Sequence, residues 1–169
     1  PMKFASLGSG SRGNALVVNN GDTTVLIDCG LSFKSVKTGL ENIGLSPEKI
    51  DAVFITHEHG DHIGGLASLV RKTQIDIFMS EGTAYASGWH EASAVQYIRD
   101  SDAVKYGSLL IEPVIVPHDA REPCQFVLST VHDTCESVRR LGVLTDLGSD
   151  SSRIVEAYAD CDALVLECN

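Results

Sequence analysis

The chain has 169 residues, 43% of them hydrophobic and 21% charged, with a formal net charge of −10 at pH 7. That length suits one compact domain, and the composition excludes a disordered polar chain. The negative charge argues against bulk attraction to nucleic acid, though not against a local basic groove, and no apolar run approaches the roughly 20 residues needed to cross a bilayer.

In chain order, Lys3 to Leu7 reads as a strand, followed by a glycine- and serine-rich loop from Gly8 to Asn14. Ala15 to Asn19 is the next strand, Asn20-Gly21 a hairpin turn, and Thr23 to Cys29 a third strand. Ser35 to Ile43 has helical apolar spacing and stops at Gly44. Asp51 to Thr56 (DAVFIT) is a buried strand that runs into a histidine-rich loop, and Ile63 to Lys72 continues as a helix with basic residues in its last turn. Ile75 to Met79 reads as a strand, whereas Gly82 to Ala92 fits no single period. Leu109 to Val116 is a strand that delivers His118, and Gln125 to Val131 pairs with Arg140 to Thr145, which delivers Asp146. A short helix over Ile154 to Ala159 and a buried strand over Ala163 to Glu167 complete the pattern. Strands with interspersed helices predict sheets covered by helices.

The start, Pro1-Met2-Lys3-Phe4, shows no long apolar core ahead of a small-residue cleavage site. The five cysteines (Cys29, Cys124, Cys135, Cys161 and Cys168) are scattered without a C-x-x-C pair. A disulfide framework is not expected, and a reducing cytoplasm is.

Thr56-His57-Glu58-His59-Gly60-Asp61-His62 carries the chemistry. A loop leaving a strand splays alternate side chains, so His57 and His59 can converge while Asp61 and His62 serve a neighbouring position. Imidazole suits zinc, iron or manganese, and carboxylate favours harder divalent ions. Three imidazoles and two carboxylates packed on an apolar platform are costly without a cation to organise them. The competing reading is a solvated, histidine-rich loop.

The pattern His57-x-His59-x-Asp61-His62 resembles the metallo-β-lactamase superfamily, as do the segments Leu26-Ile27-Asp28-Cys29-Gly30, Pro117-His118-Asp119 and Thr145-Asp146-Leu147-Gly148. The opening Ser6-Leu7-Gly8-Ser9-Gly10-Ser11-x-Gly13-Asn14 and the run Pro117-His118-Asp119-Ala120-x-Glu122-Pro123 are similar to the YycJ/WalJ-like branch, a bacterial group associated with nuclease activity. The resemblance implies an α/β (α+β) fold, a four-layer αββα sandwich of residues 1–169, with a first half to about residue 101 and a second half from 102. It implies two divalent metal ions, zinc or manganese with iron as a further candidate. His57, His59 and His118 would hold the first, Asp61 and His62 the second, and Asp146 would bridge them. The superfamily's last histidine on the second metal would directly follow the Glu167-Cys168-Asn169 end, so the expectation is a C-terminally truncated second half and a weak second site.

Two such ions about 3.5–4 Å apart share a water, lower its pKa and clamp the oxygens of a displacement. A metal-bridging hydroxide would be the nucleophile, with Asp61 both ligating and orienting it. Asp28 would hold a histidine N–H in register or merely turn the chain after its strand. Ser9, Ser11, Arg12 and Asn14 lie on a loop that could cradle phosphate or simply connect a hairpin; the resemblance places it beside the metals and favours substrate contact. Asp119 reads as a turn residue, His90 beside Trp89 as a surface or partly buried pair, His132 as structural, and the cysteines as small buried apolar residues. The basic pairs Lys34 and Lys37, Arg71 and Lys72, and Arg139 and Arg140 read as solvated surface.

Three functions follow from these readings. One is a phosphodiesterase or DNA exonuclease with DNA as substrate and no membrane partner. Another is a hydrolase of small thioesters, lactones or cyclic phosphates, which the acidic charge suits. The third is a metal-binding fragment without turnover.

Overall fold

The computed structural model describes residues 1–131, 137–145 and 152–166. Its first sheet has six strands: β1 (Met2–Gly8), β2 (Ala15–Asn20), β3 (Thr23–Ile27), β4 (Ala52–Phe54), β5 (Asp76–Ser80) and β6 (Val95–Ile98), hydrogen-bonded in that order. β1, β2 and β3 run antiparallel, whereas β3 through β6 are parallel. Five strands form the second sheet in the order β11, β10, β9, β8, β7, spanning β7 (Val104–Tyr106), β8 (Leu109–Ile115), β9 (Cys124–Thr130), β10 (Arg140–Leu144) and β11 (Ala163–Leu166). Among the described residues there are five α-helices, α1 (Phe33–Asn42), α2 (Gly60–Ile63), α3 (Leu66–Lys72), α4 (Glu81–Ser87) and α5 (Ser152–Tyr158), and two single-turn 3-10 segments, Pro47–Lys49 and Trp89–Glu91.

Alternation along the strands builds the layers. Val25, Ile27, Ala52, Phe54 and Phe78 on the inner face of the first sheet pack against Leu109, Ile111, Phe126, Leu128 and Val143 on the second. Phe54 stacks on Phe78 with ring centroids 4.5 Å apart and meets Phe126 edge-on at 5.8 Å across the sheets. The intervening residues Leu26, Val53, Ile77 and Met79 turn outward onto Val36 and Leu40 of α1 and Leu66 and Leu69 of α3. On the far side, Val114 and Val127 pack against Ile154 and Tyr158 of α5. The order is therefore helix, sheet, sheet, helix. Strands β3 to β5 are covered on both faces, which is why they read as continuous apolar runs.

Of the predicted helix from Ile63 to Lys72, α3 covers Leu66–Lys72, while Ile63 ends a separate short helix, α2, that begins at Gly60 inside the histidine loop; Gly64-Gly65 separates the two. The break has a packing cause: Gly65 N–H donates to Cys29 O at 2.8 Å, and a Cβ on Gly65 would overlap the carbonyl of Leu31. The unassigned segment from Gly82 contains α4, capped by Ser80 Oγ accepting from Thr83 N–H at 3.1 Å. Strands β6 and β7 have no counterpart among the predicted elements.

Candidate metal centre

The site forms where parallel strands β3 and β4 end. At Asp28 the backbone turns left-handed (φ 64°), which takes the chain out of β3 and aims the carboxylate back under the histidine loop. Cys29 N–H donates to His62 O at 2.8 Å, Gly30 N–H to Asn14 O at 2.9 Å and Asn14 N–H to Asp61 O at 2.7 Å. These backbone bonds fasten the loop after β1, the loop after β3 and the start of α2 to one another. From the second sheet, the turn between β8 and β9 brings in His118, and Cys124 N–H donates to Thr56 O at 2.9 Å, joining the two sheets at this edge.

Four of the chain's six histidines meet here. The His57 ring lies 4.6 Å from that of His59, 4.7 Å from that of His118 and 4.1 Å from that of His62, measured between centroids. One ligand nitrogen from each of His57, His59 and His118 can be chosen so that all lie within 4.8 Å of one another. Burial, then the neighbouring His62, His118 and His59, push the pKa of His57 down to about 2, so its ring stays neutral and its lone pair available. His57 Nε2 and His118 Nε2 are both buried without a hydrogen-bond partner. Two such nitrogens beside a third imidazole are expensive as bare polar atoms and suited to a divalent cation.

The other ring nitrogens are held. Asp28 is buried, and its Oδ1 accepts from Thr56 N–H at 2.8 Å. Its Oδ2 accepts from Thr56 Oγ1 at 2.8 Å and lies 2.7 Å from His62 Nδ1. Thr56 Oγ1 is in turn 2.9 Å from His57 Nδ1. With Thr56 donating to Asp28, its oxygen accepts from His57 Nδ1–H, and Asp28 accepts from His62 Nδ1–H. One carboxylate thus sets the tautomers of two histidines and leaves both Nε2 lone pairs facing the centre. Asp61 Oδ2 is 3.5 Å from His62 Nε2, and Asn14 Nδ2 lies 3.2 Å from that same nitrogen.

The structure therefore brings together His57, His59, His118, His62 and Asp61, with Asp28 and Asn14 beneath them; Asp146, expected as the bridging ligand, lies outside the described residues. Asn14 pins its loop by bonding both Gly10 N–H and Gly10 O. Ser9 lines a cleft of about 350 Å³ shared with Asn14, Asp28 and Thr145, whereas Ser11 and Arg12 are exposed. His90 does not join the cluster; its ring stacks on Tyr85 at 4.4 Å. Asp119 is exposed at the centre of a tight turn closed by Ala120 N–H donating to His118 O at 2.9 Å, the turn role expected of it. His132 lies outside the described residues. Thr56 received no role from the sequence, although its place immediately before His57 was the available signal.

The sequence model of the metallo-β-lactamase superfamily matches residues 8–165. The exodeoxyribonuclease WalJ of Streptococcus pneumoniae serotype 2 (strain D39) is 32% identical over 179 residues, covering 99% of this chain and 62% of WalJ. The exodeoxyribonuclease YycJ of Bacillus anthracis is 30% identical over 172 residues, covering 99% and 63%. The chain thus spans somewhat over three fifths of the length of these curated relatives. Among solved structures, the metallo-β-lactamase fold protein YhfI from Bacillus subtilis superposes with a TM-score of 0.78 at 19% identity, over 99% of this chain and 71% of that one.

Proposed function

Because the chain belongs to the metallo-β-lactamase superfamily, we propose that it is a metal-dependent hydrolase that cleaves phosphodiester bonds of DNA. The observation that carries the metal-dependent part is the His57, His59 and His118 cluster with two buried, unpartnered Nε2 atoms. Support for DNA comes from the exodeoxyribonuclease names of the relatives that align along the whole chain.

In this reading His57, His59 and His118 hold one divalent ion, and Asp61 and His62, with Asp146, hold a second. When bound, the ions supply the positive charge that makes water nucleophilic near neutral pH and draws charge from the phosphoryl oxygens. Asp61, whose side chain keeps 33% of its exposure, orients the attacking water through Oδ2. Asp28 and Thr56 keep the His57 and His62 rings from turning and their protons on Nδ1. The Gly8–Asn14 loop borders the cleft beside Asp28, which supports a reading in which Ser9 meets a substrate phosphate.

Divalent-dependent cleavage of single-stranded or nicked DNA, abolished by His59→Ala, is the expected result. The net charge of −10 suits a small substrate better than a polyanion, so a thioester, lactone and cyclic phosphate panel is run in parallel. Rapid turnover of one of those with none on DNA refutes the nuclease reading.

A further inference from the structure

We infer that Glu58 is a positioning residue for the metal centre, fastening the loop that carries His118 to the loop that carries His57 and His59. The inference rests on the metal-centre reading above.

Glu58 stands between two of the clustered histidines. In an extended segment successive side chains leave on opposite sides, so a residue between two converging imidazoles is sent away from them. Its carboxylate meets the other ligand loop there: Glu58 Oε1 accepts from Arg121 N–H at 2.7 Å. Arg121 follows His118 by three residues, across the turn closed by Ala120 N–H and His118 O, so holding Arg121 holds the histidine. The remaining described hydrogen bonds of this loop sit at its ends. Val116 N–H donates to Pro123 O, Ser80 Oγ donates to Glu122 O at 2.8 Å, and Gly82 N–H donates to Glu122 Oε2 at 2.7 Å. Among the described hydrogen bonds, the Glu58 bond ties the histidine-bearing stretch itself to the His57 and His59 loop.

The second oxygen adds an independent observation. Glu58 Oε2 is buried and has no hydrogen-bond partner. A neutral amide would accept from Arg121 N–H equally well without burying a half-satisfied carboxylate. The charge is compensated once a dication sits on the adjacent histidines, which ties Glu58 to the metal-loaded state rather than to folding of the bare chain.

The test uses zinc and cobalt(II) titrated into the 169-residue protein, with a competing chelator, the cobalt absorption spectrum and melting of the metal-free protein as readouts. Glu58→Gln retains the acceptor but loses the charge; it is expected to bind zinc more weakly than wild type and more tightly than Glu58→Ala, with a metal-free melting temperature equal or higher. Glu58→Ala is expected to lose 10–100-fold in zinc affinity, the usual effect of removing a group that orients a ligand. Its cobalt spectrum should weaken, and its metal-free melting temperature should stay near that of wild type. Glu58→Asp, too short to reach Arg121 N–H, should behave as the alanine variant and serves in its place if that protein does not fold. Alanine and aspartate variants that bind zinc as wild type does, with unchanged cobalt spectra, overturn the role of Glu58 alone. A wild-type protein that binds neither metal overturns the metal-centre reading itself.

Discussion

Replacing Asp28 by asparagine removes one oxygen's charge and leaves shape and backbone untouched, because asparagine tolerates the positive φ of 64° found there. The amide oxygen can still accept from Thr56 N–H, now made at 2.8 Å to Oδ1. The NH2 group then faces Thr56 Oγ1 and His62 Nδ1, where Oδ2 now accepts at 2.8 and 2.7 Å. His62 can accept from it only by moving its proton to Nε2, which removes the lone pair facing Asp61 and the metal position. One lost charge-assisted bond is worth about 1.5–3 kcal/mol. For a chain of this size, that corresponds to a fall of roughly 3–12 °C in the melting temperature of the metal-free protein. Metal affinity should fall 10–100-fold, about 1.4–2.7 kcal/mol. Melting with and without zinc, together with chelator competition, measures both. An asparagine variant that binds zinc within threefold of wild type refutes the tautomer argument.

Other perturbations address the scaffold. Gly30→Ala places a Cβ on the carbonyl of Asp61, where the two loops touch; a loss of about 3 kcal/mol or more in denaturant unfolding is expected, and a neutral outcome refutes the close approach. Phe126→Ala opens a cavity opposite Phe54 between the sheets and should cost about 3–5 kcal/mol by the same assay. Burial, then the charge of Asp28, raise the Cys29 thiol to about 12, so it should resist iodoacetamide at pH 8 until the chain unfolds, as read by mass spectrometry. The unfolded chain releases this proton near pH 9 and the folded one keeps it to about 12, so Cys29 lowers stability as pH rises through that window. Alkaline melts of Cys29→Ser should show a smaller decline.

The site was legible where its residues are contiguous. His57, His59, Asp61 and His62 fall within one loop behind an apolar strand, and the histidine at 118 ends another. Less legible was what fixes them. Asp28 admitted two readings, and its pairing with Thr56 and His62 depends on β3 and β4 lying side by side. The Asn14 N–H to Asp61 O bond spans 47 positions and uses backbone atoms, for which side-chain chemistry gives no signal. In the fold, β6 and β7 escaped notice because four and three residues, mostly part-exposed, are too short for a period to show. The split between α2 and α3 involves Gly65, whose tolerance of close packing matters only once Leu31 and Cys29 are in place.

In the proposed metal centre three histidines from two loops converge on one divalent ion. Anomalous diffraction from zinc-loaded crystals, recorded on either side of the zinc edge, tests it most directly. A zinc peak is expected about 2.0–2.1 Å from His57 Nε2, His118 Nε2 and one nitrogen of His59. Zinc-loaded crystals with no peak among those three rings, or with density only at other residues, contradict it.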